Sequence, residues 1–301
     1  MSAISERLRS AFQGQAPLLL DAAMGTELER RGVPSRLPLW SARALIDSPQ
    51  AVLAVHRENV EAGADVLTTN TFRTQRRTLQ KEGMADRAEE LTALAVNLAR
   101  QAGSGAGRPV YVLGALAPLE DCYRPDLAPP KAELEREHRE QARGLARAGV
   151  DGLLVETQNS VVELSAAVEA AIETGLPVVA SMITDGQGRL LSGEDLGDAA
   201  AALRSALPDV FSINCVPARL LEEELRRLAG LAGATPLGAY GNLGPPTDPE
   251  GLHFETEITP ADYAALARSW LDLGVRLVGG CCGTTALHTA ALRRLLDARR
   301  A

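Results

Sequence analysis

Aromatic residues are scarce in this 301-residue chain, at 3% for Phe, Trp and Tyr together. A core must therefore be assembled from Ala, Leu and Val, which make up the bulk of the 46% apolar content. Basic residues are outnumbered, 31 Lys and Arg against 39 Asp and Glu, for a formal charge of −8. A polyanion such as nucleic acid calls for basic patches, which this balance does not offer. No apolar run approaches the ~20 residues of a membrane-spanning helix. The first ten residues, Met1 to Ser10, are charged and lack the apolar stretch of a secretory signal. The expectation is a soluble, acidic protein of the cytoplasm that does not engage membranes. Linkers and low-complexity tracts are also absent, so 1–301 reads as a single domain. No patch stands out for self-association, and homo-oligomerisation through exposed helices stays open.

Cysteine is rare too, with four in the chain, but three of them are placed for chemistry. Cys281 and Cys282 are adjacent within Gly279-Gly280-Cys281-Cys282-Gly283-Thr284-Thr285. Side chains of neighbouring residues diverge on a strand, so two thiolates can meet one ion only where the backbone turns, and flanking glycines permit that turn. Cys215 lies far upstream in Ile213-Asn214-Cys215-Val216-Pro217. Three sulfurs with a fourth position open describe a catalytic zinc site better than a structural one, which four protein ligands normally close. A disulfide and inert buried thiols are the competing readings; the first persists poorly in the cytosol and the second treats Cys as a small hydrophobe. Cys122, beside Asp121 and Tyr123 in a Pro-containing stretch, is left outside the site.

Short apolar runs alternate with long Ala/Leu/Glu/Arg helices. Strands are expected at Pro17–Leu20, Asp65–Thr69, Val110–Leu113, Gly152–Val155, Pro177–Met182, Val210–Ile213, Pro236–Tyr240 and Arg276–Val278. Helices are expected at Pro49–Ala62, Ala85–Ala102, Lys131–Ala148, Val161–Thr174, Leu196–Ala206, Ala218–Leu231, Pro260–Leu273 and Ala286–Arg300. Recurrent helix-to-strand joints, Ala62-Gly63, Ala148-Gly149, Thr174-Gly175 and Leu273-Gly274, carry the glycine that commonly closes a helix. This alternation predicts an α/β fold, a (β/α)₈ TIM barrel. A doubly wound open sheet is the alternative, but its G-x-G-x-x-G turn after the first strand is missing. Arg30–Asp47, Leu119–Pro130 and Gly241–Glu257 read as additions to the barrel.

A barrel of this kind carries its chemistry where the strands end, and the polar residues fall there. Asp21 follows the first strand, Asn70 the second, Glu156 the fourth, Asn214 and Cys215 the sixth, Tyr240 and Asn242 the seventh, and Cys281 and Cys282 the eighth. Asp21 could instead cap a helix. Glu156 closes an apolar run, an unfavourable place for a carboxylate unless it meets a cation or donors. His56, His138 and His288 sit in helical contexts and read as solvated or capping residues, and His253 as an ordinary loop residue.

These residues together resemble the homocysteine S-methyltransferase family over nearly the whole chain. The resemblance rests on Leu18–Gly32 (LLLDAAMGTELERRG), Thr68–Phe72 (TTNTF), Leu153–Thr157 (LLVET), Asn214-Cys215 and Gly279–Thr285 (GGCCGTT). It implies zinc held by Cys215, Cys281 and Cys282, with Asp21 and Glu156 on the amino-acid end of homocysteine; Asn70, Asn214, Tyr240 and Asn242 are expected around the substrate from their places at the strand ends. It also implies methyl transfer to the homocysteine thiol, giving methionine, from a small onium donor such as S-methylmethionine or S-adenosylmethionine. Trp40, Phe72, Tyr123 and Phe254 are candidates to face such a cation. The chain departs from the family pattern at Ala22-Ala23, where Gly-Gly or Gly-Ala is usual and where backbone amides would receive the substrate carboxylate. It departs again at Gly114–Pro118 and at Ala286–Thr289. Betaine as donor, another thiol or a selenol as acceptor, a zinc-dependent lyase or hydrolase on the same barrel, and a non-catalytic zinc- or thiol-binding protein are the alternatives. A hydrolase would normally use harder His or carboxylate ligands.

Overall fold

Eight runs of Leu, Val, Ile and Ala, nearly all buried, form the parallel strands of a barrel in the computed structural model, which describes residues 3–245, 247 and 258–300. They are β1 Leu18–Leu19, β2 Val66–Thr68, β3 Tyr111–Leu116, β4 Gly152–Gln158, β5 Val178–Met182, β6 Val210–Pro217, β7 Leu237–Asn242 and β8 Val275–Gly280. Near-continuous apolar strands are what a parallel sheet covered by helices requires. The order β1-β8-β7-β6-β5-β4-β3-β2 is sequential, without the reversal of a doubly wound sheet. Leu20 bridges to Val66 and the Asp21 amide donates to the Val66 carbonyl at 3.0 Å, which brings β1 to β2 and closes the cylinder.

Two apolar layers hold it. The larger lies between strands and helices, with Leu45, Val96, Leu145, Leu164, Leu228 and Trp270 fully or almost fully buried. The smaller fills the lumen, where Leu20, Val66, Leu113, Leu154, Val179, Val210 and Leu277 meet Leu8 and Phe12. Those last two belong to the helix Ala3–Gln13, which seals the N-terminal end of the barrel. That helix was not expected, although Ile4, Leu8, Ala11 and Phe12 recur at the i, i+4, i+7, i+8 spacing of one helix face; Glu6, Arg7 and Arg9 interleave with them, and of the four only Leu8 and Phe12 are buried.

Lys131–Ala148 and Ala286–Arg300 are helical over the expected spans. Gly149 takes a left-handed φ of 91° that ends the former. The helices 25–30, 43–47 and 76–80 are too short to announce themselves by periodicity. The helix expected from Leu196 to Ala206 stops at Ala202, and the one expected from Ala218 begins at Leu221. Several strands run further than expected at their C-terminal ends: β3 to Leu116, β4 to Gln158, β6 to Pro217, β7 to Asn242 and β8 to Gly280. The extensions of β4, β6 and β7 include buried polar residues, among them Glu156, Gln158, Asn214 and Asn242, and those of β3 and β8 contain glycine, so none of them continues a plain apolar run. Among the described residues no helix is long and apolar enough to cross a membrane.

Candidate metal centre and substrate cavity

The strand extensions also aim the side chains. β4 is irregular between Val155 and Gln158, and β6 between Asn214 and Pro217. Each irregularity contains a residue with left-handed φ, Thr157 at 58° and Cys215 at 59°. Such bulges re-aim a side chain next to a site, and here β6 turns Cys215 toward β8. Cys281 and Cys282 follow β8 directly.

The three sulfurs lie within 4.8 Å of one another, with Cys215 Sγ 3.9 Å from Cys282 Sγ, and Cys282 Sγ 4.0 Å from Cys281 Sγ. A tetrahedral ion with metal–sulfur bonds of about 2.3 Å places its ligands about 3.8 Å apart. The donor set therefore fits one soft cation. All four cysteines are free thiols. S–H groups of Cys281 and Cys282 directed at Cys215 hold its thiol well below the ordinary range. The same contact with Cys215 pushes Cys281 and Cys282 well up, because a second and third negative sulfur would be crowded against the first.

Asn242 fixes this arrangement from β7. Its Nδ2 donates to the Cys215 carbonyl and its Oδ1 accepts from the Cys282 amide, each at 3.0 Å. Asn214 is similarly committed: its Oδ1 accepts from the Thr157 amide and the Ser181 hydroxyl, and its Nδ2 donates to Thr157 Oγ1. Both asparagines are fully buried, and neither lines the cavity described next. Their side chains hydrogen-bond to neighbouring strands and loops. Polar residues at strand ends look alike in a sequence whether they face a cavity or a neighbouring strand.

A cavity of about 110 Å³ opens above the sulfurs. Asp21, Asn70, Glu156 and Tyr240 line it as expected, and so do Trp40, Phe72 and Tyr123. Trp40 and Phe72 meet edge to face at 5.7 Å. Gly25 allows this, since a Cβ there would sit 2.3 Å from the Trp40 ring. The Tyr123 hydroxyl is 3.4 Å from Cys215 Sγ. Cys122 also borders the cavity, with burial pushing its thiol up, though it stands outside the sulfur triad. Phe254 and His253 lie outside the described residues.

The two carboxyl groups are held in a protonation balance set by burial. Asp21 is raised to about 7 by burial, moderated by the Thr68 amide that donates to its Oδ2 at 2.9 Å; it caps no helix. Glu156 is raised to about 8 by burial, with Cys215 and Asp21 adding to the rise. Two buried acids without a cation between them are unfavourable as a charged pair. His56 Nδ1 lies 4.0 Å from Asp21 Oδ2, yet both ring nitrogens lack a hydrogen-bond partner, and burial lowers the ring to about 4. His56 is thus buried and neutral rather than solvated. His138 is buried against Glu163 Oε1 at 3.0 Å. His288, also buried, accepts the Thr285 amide at its Nδ1, which is the capping role.

One expected feature is filled by the protein itself. The Ala22 amide donates to Asn59 Oδ1 at 3.0 Å and the Ala23 amide to Thr284 Oγ1 at 3.2 Å. Neither is free to receive a substrate carboxylate. Arg73 lines the cavity as well; it directly follows the TTNTF run and was not singled out in the sequence.

A model of the family described as homocysteine S-methyltransferase matches residues 18–296. A selenocysteine Se-methyltransferase of Brassica oleracea var. italica is 28% identical over 94% of this chain and 89% of its own length. A methionine synthase of Mycobacterium tuberculosis is 32% identical over 91% of this chain, which spans only 24% of that larger protein. The crystal structure of the Escherichia coli homocysteine methyltransferase MmuM in its metallated form superposes with a TM-score of 0.81 at 28% identity, covering 95% of this chain and 99% of MmuM.

Proposed function

The chain belongs to the homocysteine S-methyltransferase family, and from that membership we propose that it moves a methyl group from a small sulfonium to the thiol of homocysteine, with zinc on Cys215, Cys281 and Cys282. The whole chain 1–301 acts as one domain in this reading. The observation that carries it is the cavity in which three converging sulfurs face two buried carboxyl groups. A thiol amino acid needs both ends: soft-metal ligands for sulfur and acids for the ammonium.

Zinc held by Cys215, Cys281 and Cys282 would lower the pKa of a substrate thiol. The chain's own residues do the rest. Asn242 sets the spacing of the two cysteine loops, and the Tyr123 hydroxyl donates toward Cys215 Sγ. Asp21 and Glu156, near neutrality when the cavity is empty, ionise as a substrate ammonium enters. That contact fixes the amino-acid end so that the thiol sulfur points at the methyl carbon. The new bond joins that sulfur to the methyl, and the old sulfonium–methyl bond breaks. Its electron pair stays on the departing thioether, which leaves neutral and needs no acid. Orientation is therefore the main contribution asked of the protein.

The donor is tested by initial rates at matched concentration. With homocysteine as acceptor, S-methylmethionine is expected to outrun betaine by at least about tenfold, a difference of ~1.4 kcal/mol in barrier. Four aromatic residues line the cavity and suit either onium, so the expectation rests on chemistry: a sulfonium releases a thioether, a better leaving group than the tertiary amine released by betaine. Betaine outrunning S-methylmethionine and S-adenosylmethionine would reverse the assignment, and no turnover with any donor would favour a binding protein. Selenocysteine belongs in the acceptor series because of the likeness to the Brassica enzyme.

A further inference from the structure

We propose that Arg73 is the receptor for the α-carboxylate of an amino-acid substrate in this cavity, an assignment that rests on the methyl-transfer reading above. Arg73 is the only arginine buried among the described residues, at 6% exposure. Its guanidinium is always charged and carries five N–H groups. Nη1 donates to the Glu120 carbonyl at 2.7 Å, and the buried Nε has no partner. No carboxylate among the described residues pairs with it, whereas the less buried Arg77, Arg100, Arg139 and Arg293 are all paired. Asp121 borders the same cavity, but its Oδ1 accepts the Tyr123 amide at 2.9 Å.

A buried cation without a counter-ion is unfavourable, and a ligand can supply the missing anion. The guanidinium is held 5.3 Å over the Phe72 ring, which restricts its plane. A planar fork held this way suits a carboxylate. Other walls of the cavity carry Asp21 and Glu156, acids with no paired Lys or Arg among the described residues. Unpaired groups of both signs around one cavity match a zwitterion. The amides of Ala22 and Ala23 offer no alternative, being engaged by Asn59 and Thr284. An amino-acid thiol and an amino-acid sulfonium both bring an α-carboxylate, and the test separates them.

The test uses the full-length, metal-loaded protein and its Arg73→Gln and Arg73→Lys variants. One arm compares kcat/KM for homocysteine with that for 3-aminopropane-1-thiol, the same acceptor without its carboxylate. The other compares S-methylmethionine with (3-aminopropyl)dimethylsulfonium. Arg73→Gln is expected to lower kcat/KM roughly 10- to 100-fold for the substrate whose carboxylate is held, to leave its carboxylate-free analogue unchanged, and to retain its metal. Arg73→Lys is expected to recover part of the loss, and it takes over the test if the Gln variant does not fold. A loss confined to one arm identifies that arm's substrate as the source of the carboxylate. Equal losses for a substrate and its analogue, or no loss in either arm, would overturn the proposal. If the wild type turns over no substrate, the methyl-transfer reading falls by itself and calorimetry decides Arg73. Tighter binding of methionine than of 3-(methylthio)propylamine, abolished in Arg73→Gln, would support the receptor; an equal preference in both proteins would refute it.

Discussion

Replacing Cys215, Cys281 or Cys282 singly by Ser is expected to strip the protein of its metal and to reduce methyl transfer by far more than 100-fold. Even loss of a residue that merely supports a metal ligand typically costs 10- to 100-fold in affinity or activity, and a ligand matters more than its support. The three sulfurs are mutually within 4.8 Å, so each substitution leaves two soft donors and one hydroxyl that binds a soft ion poorly. Cys122→Ser is the internal control. Its sulfur borders the cavity but stands outside the triad, and this variant should keep one metal per chain. Elemental analysis of the four purified variants decides the matter. Full metal retention in any of the first three removes that residue from the centre.

The second large effect has opposite signs for binding and for stability. Asp21 and Glu156 have folded-state values near 7 and 8, raised by burial from ordinary carboxyl values. A carboxyl raised in this way keeps its proton in the folded protein after the unfolded chain has lost it. Between about pH 4 and pH 8 the native state therefore binds more protons, and stability falls as pH rises through that window. At ~1.4 kcal/mol for each tenfold change in proton affinity, each group costs on the order of 4 kcal/mol at the upper end. Glu156→Gln in metal-free protein is expected to be more stable than wild type at pH 8.5, by roughly 2–4 kcal/mol, and about equal to it near pH 4.5. Binding moves the other way. Methionine, which carries the ammonium without a thiol proton, should bind the variant about 30-fold or more weakly at pH 8. Urea unfolding at the two pH values and calorimetric titration measure both halves. A variant that loses stability at high pH while keeping its affinity would mark Glu156 as a structural residue.

Much of this was legible in the chain, for identifiable reasons. Parallel strands buried on both faces read as apolar runs, and the glycines after helices punctuate them, so all eight strands were found. The sulfur cluster was visible because Cys281-Cys282 between glycines suits few other purposes. The helix Ala3–Gln13 escaped although Ile4, Leu8, Ala11 and Phe12 have helical spacing, because the charges between them read as a solvated N-terminus. Asn214 and Asn242 were found at the right end of the barrel, but their direction depends on bulges that no residue type announces. Arg73 gave no signal at all: an arginine after Phe72 reads as a surface charge until its burial and missing partners are known.

The seam of the barrel has a thermodynamic consequence. β1 has only two residues, and Asp21 joins Leu19, Leu20 and Asp65 in stitching the sheet across it. The Asp21 amide donates to Val66, its carbonyl accepts from Gly280 at 3.2 Å, and its carboxyl accepts from Thr68. One residue thus ties the first strand to the second and the eighth while its carboxyl group faces the cavity. Local opening at this seam and vacancy of the amino-acid site then draw on the same small free energy. Occupancy should slow amide hydrogen exchange at Thr68 and Gly280 more than at the fully laddered strands opposite. The barrel is thereby kept shut by what it holds.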